Sequence, residues 1–453
     1  MSDWVVMTLG LSPLPCLVEA YRLCCIVKAS TKAWPNFLVF TRKDDVDAAV
    51  VEKKLAERLL RDGESAVTPR LMECRLTDPH NPITVVKEAM AAIRSKVSGS
   101  VPPRIHFPYT GGTKAMSMHV HDALLVLVAE QRVQKPVLSY LHWKDHKLMS
   151  TETGCHSPQS GERSSWHLHV QDLADLHALE LVATNTVTAE VSAVSRRMLS
   201  LLLDGDERRQ YNDWLWEVWD AVFPASVPIR DLRHWPVNRL VPWYRGKSPD
   251  WPSFSDELAT VPLFGGTQVF RRRPDGTWSI WVDESVKRFV IPLHEYLHHQ
   301  ALEVYVFDAL RRLLPDEEVQ HSVHLRERRS GREMELDVTA VLGYELVALS
   351  CTLSDDRDTC KRKGFEVLHR AARLGGAHAR AGLVCLLKDT DCRLLEQELN
   401  DDIATDPAGF RVFGKTFLDD AAGRGQRIVT AFDCYLHKEL DWKITAARTP
   451  QTG

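Results

Sequence analysis

The segment Ile105-His-Phe-Pro-Tyr-Thr-Gly-Gly-Thr-Lys114, continued by Ala115-Met-Ser-Met118, constrains this chain more than any other, because it reads as a strand, a glycine turn and a helix start in direct succession. Gly111 and Gly112 let the backbone approach a ligand without Cβ clashes, and Thr113 stands where a helix cap is needed. Lys114 sets a positive charge beside the free amides of the helix N-terminus. An anion or a nucleotide suits such a turn. The spacing is neither the dinucleotide-binding glycine fingerprint nor a P-loop, so by itself it is equally compatible with an ordinary tight βα turn.

The surrounding pattern adds to it. The chain opens with the apolar run Trp4-Val-Val-Met-Thr-Leu-Gly10, breaks at Leu11-Ser-Pro-Leu-Pro15 and restarts as a helix-like segment. Strand-like runs follow at 37–40, 71–74, 104–107 and 137–140, with helical segments near 46–62, 82–97 and 114–131. Strands alternating with helices predict a parallel, doubly wound sheet. Such sheets bind ligands beyond the carboxyl ends of their strands, where both the Ser12 loop and the Gly111 turn would lie.

At 453 residues the chain is long enough for two or three domains with sizeable cores. A composition rich in Thr, Gly, Ser, Pro and His between 150 and 170 predicts a boundary there. A helix is expected over 193–203, core-packed tryptophans at Trp214, Trp216 and Trp219, and an irregular connector around 224–255. The net charge of −4 does not announce nucleic-acid binding, so any such contact must come from local patches such as Arg271-Arg-Arg273, Lys287-Arg288, residues 326–332 and Lys361-Arg-Lys363. Ten cysteines without a CxxC pair point to reduced thiols in the cytoplasm. No run approaches the ~18 apolar residues needed to span a bilayer, and no secretory leader is recognisable.

Two stretches carry acids and histidines at chemically meaningful spacing. His294-Glu-Tyr-Leu-His298 has the HExxH form of zinc proteases, with Glu295 as general base, and His321 and Glu318 are conceivable third ligands. With 19 histidines in the chain the pattern also arises by chance. The second stretch runs from a helix over 301–310 carrying Glu303, through strand-like Glu333-Met-Glu-Leu-Asp-Val-Thr339, to Leu346-Val-Ala-Leu-Ser-Cys351. Glu335 and Asp337 lie two apart, so a strand directs them to one face, where they can share a hard cation such as Mg²⁺ or Mn²⁺.

Over about the first 150 residues, the Leu-Ser-Pro-Leu-Pro loop together with Thr110-Gly-Gly-Thr-Lys114 resembles a CRISPR-associated Rossmann fold (CARF) sensor domain. The resemblance implies a homodimer that binds a cyclic oligoadenylate, most often cyclic tetra-adenylate, across its two-fold axis. It assigns ligand contacts to Leu11, Ser12, Pro13, Thr110, Gly111, Gly112, Thr113 and Lys114. Residues 290–440 resemble a PD-(D/E)xK nuclease domain of the type attached to CARF sensors in type III CRISPR systems. The strings that carry this are Ala301-Leu-Glu-Val-Tyr-Val306, Met334-Glu-Leu-Asp-Val338, Leu349-Ser-Cys351 and Lys363-Gly-Phe-Glu-Val-Leu-His-Arg-Ala-Ala-Arg-Leu-Gly-Gly376. By resemblance Glu303 is the helical acid, Asp337 the principal metal ligand, Glu335 its neighbour, and the carbonyl of Cys351 a further ligand.

One departure stands out: the family pattern continues Ser-Cys-Lys, and position 352 is threonine. Lys361 or Lys363, from the next helix, are the candidates to supply the missing ammonium, with backbone contacts to nucleic acid or plain surface charge as their other readings. The expectation is an α/β protein with a Rossmann-like CARF sensor and parallel sheet (1–150), a connector (151–290) and a restriction-endonuclease-like α/β domain (291–445). It is expected to cleave DNA or RNA in antiviral defence when a cyclic oligoadenylate binds, using Mn²⁺ or Mg²⁺. A sensor silenced by Thr352 and a zinc protease are the alternatives.

Overall fold

The structure, a computed structural model, describes most of residues 3–187 and 300–439, with a short hairpin between 270 and 280. The first sheet grows from alternating strands and helices: β1 (Asp3–Thr8), α1 (Pro13–Thr31), β2 (Asn36–Arg42), α2 (Ala48–Arg61), β3 (Leu71–Leu76), α3 (Pro82–Lys96), β4 (Arg104–Pro108), α4 (Lys114–Ala129) and β5 (Val137–His142). Their order is β3-β2-β1-β4-β5, parallel throughout. β1 is buried at all six positions, as a central strand covered on both faces must be. α3 starts where Asn81 Oδ1 accepts from Ile83 N and Thr84 N, with Pro82 in the first turn.

Two antiparallel strands, β6 (Lys147–Ser150) and β7 (Gly154–His156), complete the seven-stranded sheet. The Thr151-Glu-Thr-Gly154 run, expected to open a connector, is the turn of this hairpin. It is anchored by Thr151 N donating to Leu138 O at 2.9 Å. Past it come α5 (Val170–Leu176) and β8 (Leu179–Asn185), then the small hairpin β9 (Phe270–Arg272) and β10 (Trp278–Ile280). β8, also inside the expected connector, is the edge strand of the second sheet.

That sheet is built by β11 (Val319–Glu327), β12 (Glu333–Leu342), β13 (Glu345–Cys351), β14 (Arg380–Val384) and β15 (Arg411–Phe413), in the order β15-β14-β13-β12-β11-β8. The meander β8-β11-β12-β13 is antiparallel, whereas β13-β14-β15 is parallel. Helix α6 (Ala301–Arg311) packs on one face, α7 (Arg357–Gly375) on the other, and α8 (Asp389–Asp402) packs on α7. Short α9 (Lys415–Leu418) and α10 (Gln426–Cys434) close the α6 side. β13 is buried at all seven positions, and its one carboxylate, Glu345, is met by Arg380 Nε at 2.8 Å.

The two sheets share a continuous apolar core. At the seam Tyr344, in the β12–β13 turn, stacks edge-on against Trp166 with ring centroids 5.7 Å apart, and its hydroxyl lies 3.0 Å from His146 Nδ1. Trp143 packs on the same ring at 5.5 Å. No described helix is long and apolar enough to cross a membrane. Trp166→Ala removes a fully buried ring that touches both halves, and is expected to destabilise the protein by about 3–5 kcal/mol in urea unfolding. A loss under about 1 kcal/mol would mean that the seam is not structural.

Candidate functional site

The glycine turn lies at the carboxyl end of β4 and is locked from below by β1. Thr8 Oγ1 and Ser117 Oγ both donate to the Gly111 carbonyl, at 2.8 and 2.7 Å. A Cβ on Gly111 would overlap the Thr8 carbonyl oxygen and the Cys16 sulphur. One on Gly112, whose φ is +71°, would sit 2.5 Å from Thr8 Oγ1. Glycine is therefore required at both positions, by close approach and by a left-handed backbone respectively. Thr113 caps α4, its Oγ1 accepting from Met116 N at 3.1 Å.

Above the turn opens a cavity of about 610 Å³. Lys114, Met118 and His121, at i, i+4 and i+7, present one stripe of α4 to it. Its other wall is aromatic: Tyr109 and Tyr140 lie with ring centroids 5.4 Å apart. A cation beside glycine amides and stackable rings is a chemistry that fits a nucleotide.

The expected ligand contacts divide accordingly. Gly111, Gly112, Lys114 and Thr110 line the cavity. The Thr110 hydroxyl, however, accepts from Leu141 N at 2.8 Å and so tethers the turn to β5. Pro13 is buried at the start of α1, and Leu11 and Ser12 lie outside the described residues. Tyr109, Tyr140 and His121 were not anticipated as site residues. The signal that could have found them is position: strand ends at the same sheet edge, and the stripe of α4 that begins at Lys114.

Beneath the turn Glu19, from α1, is fully buried and accepts from Ser139 Oγ at 3.0 Å. Burial pushes its carboxyl up to about 7, against the pull of Thr110, Ser139 and Arg22. Between its ordinary value of 4.5 and about 7 the folded protein keeps a proton that the unfolded chain has released, so stability falls as pH rises through that window. The thermal midpoint is expected to fall from about pH 5 to about pH 8, and Glu19→Gln to remove roughly 3 kcal/mol of that fall. An identical pH dependence in Glu19→Gln would rule out Glu19 as its source.

A second constellation occupies the other sheet. Glu335 and Asp337 flank buried Leu336 on β12. Asp337 Oδ2 accepts from Ser350 Oγ at 2.9 Å and from Cys351 N at 2.7 Å, which ties β12 to the end of β13. Glu303, on α6, is buried, and its carboxyl is pushed well above the usual range by burial and by the charges of Asp337 and Glu335. Asp337 is pushed up by burial, against its two hydrogen bonds and the Lys363 ammonium. The Cys351 thiol is raised strongly by burial, then by Asp337 and Glu303.

Helix phase separates the two lysines. Two residues apart on α7, they point about 200° away from each other. Lys363 bears electrostatically on Glu303, Asp337 and Cys351, with Glu366 3.7 Å from its Nζ. Lys361 turns to α8, pairing with Glu398 at 3.3 Å and Asp402 at 3.8 Å, so it does not join the acids as expected. Thr352 continues β13 with its amide donating to Val384 O at 2.9 Å.

Three further groups reach the acids from β11. His321 Nε2 lies 3.4 Å from Glu303 Oε2, and burial lowers that imidazole to about 4, which keeps it neutral. Ser322 Oγ donates to Glu335 Oε1 at 2.7 Å and lies 3.0 Å from His324 Nε2. Sequence reasoning considered His321 only as a zinc ligand beside Glu318, which is half-buried and pushed up to about 7 by burial and Glu317. His294, Glu295 and His298 lie outside the described residues, as do Trp214, Trp216 and Trp219. Among the described residues no three His, Cys, Asp or Glu side chains are grouped to hold a metal ion. The set implied by the resemblance is two side chains, Glu335 and Asp337, with the Cys351 carbonyl.

No family model matches the chain, and no curated protein matches it. Among solved structures it is similar to the crystal structure of protein VC1899 from Vibrio cholerae, with a TM-score of 0.50 and 12% identity over 95% of this chain and 98% of that one. At such identity the likeness concerns the fold. It accords with a mixed α/β architecture containing a parallel-rich first sheet and a separate second sheet.

Proposed function

We propose that this chain is a metal-dependent nuclease switched on by a cyclic oligoadenylate, cyclic tetra-adenylate being the first to test, in type III CRISPR antiviral defence. The observation that carries the reading is the grouping of Asp337 and Glu335 on β12, with Asp337 tied to Ser350 and Cys351 of β13, and the Lys363 charge, felt by Glu303 and Asp337, is the candidate for the one that Thr352 does not bring. The separate aromatic cavity with Lys114 at its rim supports an activator bound by stacking and charge. Met118, on α4 at that rim, is 55% exposed, an apolar group available to a second copy. Ten free cysteines support a reducing, cytoplasmic setting.

The donors on β12 and β13 fit a hard divalent cation, being two carboxylates and a backbone carbonyl, oxygen ligands throughout. Glu335, Asp337 and the Cys351 carbonyl would hold it. Mn²⁺ or Mg²⁺ bound there would activate a water and neutralise phosphodiester charge. The chain's own groups do the rest. Ser350 and the Cys351 amide both hold Asp337 Oδ2 and favour the ionised form, against the effect of burial. Lys363 adds a fixed positive charge where negative charge develops on the phosphate, a contribution of about 10²-fold in rate.

The test is cleavage of supercoiled plasmid and of labelled single-stranded RNA and DNA with Mn²⁺, with and without cyclic tetra-adenylate. Asp337→Ala is expected to lose at least ~10³-fold and Lys363→Ala ~10²-fold, while Lys361→Ala stays within about threefold. Full activity in Lys363→Ala would remove its role. Ligand binding with no cleavage under any condition would leave a silent sensor.

A further inference from the structure

We infer that a β-bulge in β11 is the positioning element of the acidic site: His321 orients Glu303, and Ser322, backed by His324, orients Glu335. This rests on the nuclease reading. It goes beyond it by assigning roles to three residues outside the metal-binding and charge-supplying set.

The pairing of β11 with β8 slips between His321 and His324 and again between His324 and Leu325, whereas its pairing with β12 keeps one register, His321 opposite Val338 and His324 opposite Glu335. The irregularity is thus taken up on the β8 side, and the β12 side stays in step with the acids. At its centre Ser322 is fully buried with φ at +50°, a left-handed conformation in which a residue bearing a Cβ is strained. Strain of that kind persists only where the surroundings determine it, and bulges commonly re-aim a side chain beside a site.

Here the result is specific. Three residues within one bulge address two different acids: His321 Nε2 at 3.4 Å from Glu303 Oε2, Ser322 Oγ at 2.7 Å from Glu335 Oε1, and His324 Nε2 at 3.5 Å from that same Glu335 atom. The Glu303–His321 pair is enclosed, with the Phe307 ring 5.8 Å from the imidazole. Glu303 comes from α6 and Glu335 from β12, so no single element holds both, and β11 is the strand that reaches both. Partners behind metal-binding carboxylates commonly tune affinity or activity by 10–100-fold.

The experiment uses the full chain and measures Mn²⁺ binding by electron paramagnetic resonance beside plasmid cleavage with cyclic tetra-adenylate. Ser322→Gly removes the hydroxyl while relieving the backbone strain. It is expected to raise or preserve the thermal midpoint yet weaken Mn²⁺ binding about tenfold, an effect a merely structural serine would not produce. His321→Leu is expected to lower kcat about tenfold with KM for the plasmid unchanged, and His321→Gln to recover most of the loss. Wild-type Mn²⁺ affinity in Ser322→Gly together with wild-type kcat in His321→Leu would overturn the inference. Asp337→Ala separates the failures: if it loses Mn²⁺ binding while the β11 variants do not, only the positioning role falls. If Asp337→Ala also binds and cleaves normally, the nuclease reading falls with it.

Discussion

The packing of Tyr344 between Trp143 and Trp166 is the contact on which the arrangement of the molecule depends. It joins two sheets that each have their own strand order into one continuous apolar core, and it does so at the turn between β12 and β13, the strands that carry Asp337 and Cys351. Polar contacts reinforce the same seam from α1. Arg22 reaches Glu162 at 2.7 Å and the His146 carbonyl, and His146 in turn meets Tyr344. Glu19, one turn earlier on α1, lies under the glycine turn. The floor of the cavity and the β12–β13 turn are therefore attached to the two ends of one short chain of packed side chains.

Concentrating Glu303, Glu335 and Asp337 beside one another is unfavourable unless charge is returned from elsewhere. Lys363, the Cys351 amide and the hydroxyls of Ser322 and Ser350 return part of it. What remains is met by protonation, since burial raises the Glu303 and Asp337 carboxyls and so favours their neutral forms.

Much of this was legible in the amino-acid sequence because it follows local rules. The alternation of β1 to β5 with α1 to α4, the glycine turn with Thr113 as cap, and the two-residue spacing of Glu335 and Asp337 all depend on neighbours along the chain. What was hidden depends on partners far away. β8 falls inside the stretch expected to be a connector, and its pairing with β11, far along the chain, is what makes it a strand of the second sheet. Thr110 reads as a ligand contact, yet its hydroxyl is engaged by Leu141. The choice between Lys361 and Lys363 required the phase of α7 and the acids of α8, which neither composition nor motif contains.

The pairing of β8 with β11 has a topological meaning. Asn185 is matched to His321, so the chain leaves the second sheet at its edge and, after the long intervening stretch and α6, re-enters immediately beside its point of departure. Joining segments so far apart in the chain costs entropy that grows only slowly with their separation, and makes this a long-range contact beside local hairpins such as β11–β12. The edge of the second sheet is therefore sewn from two distant parts of the chain, and its integrity depends on both.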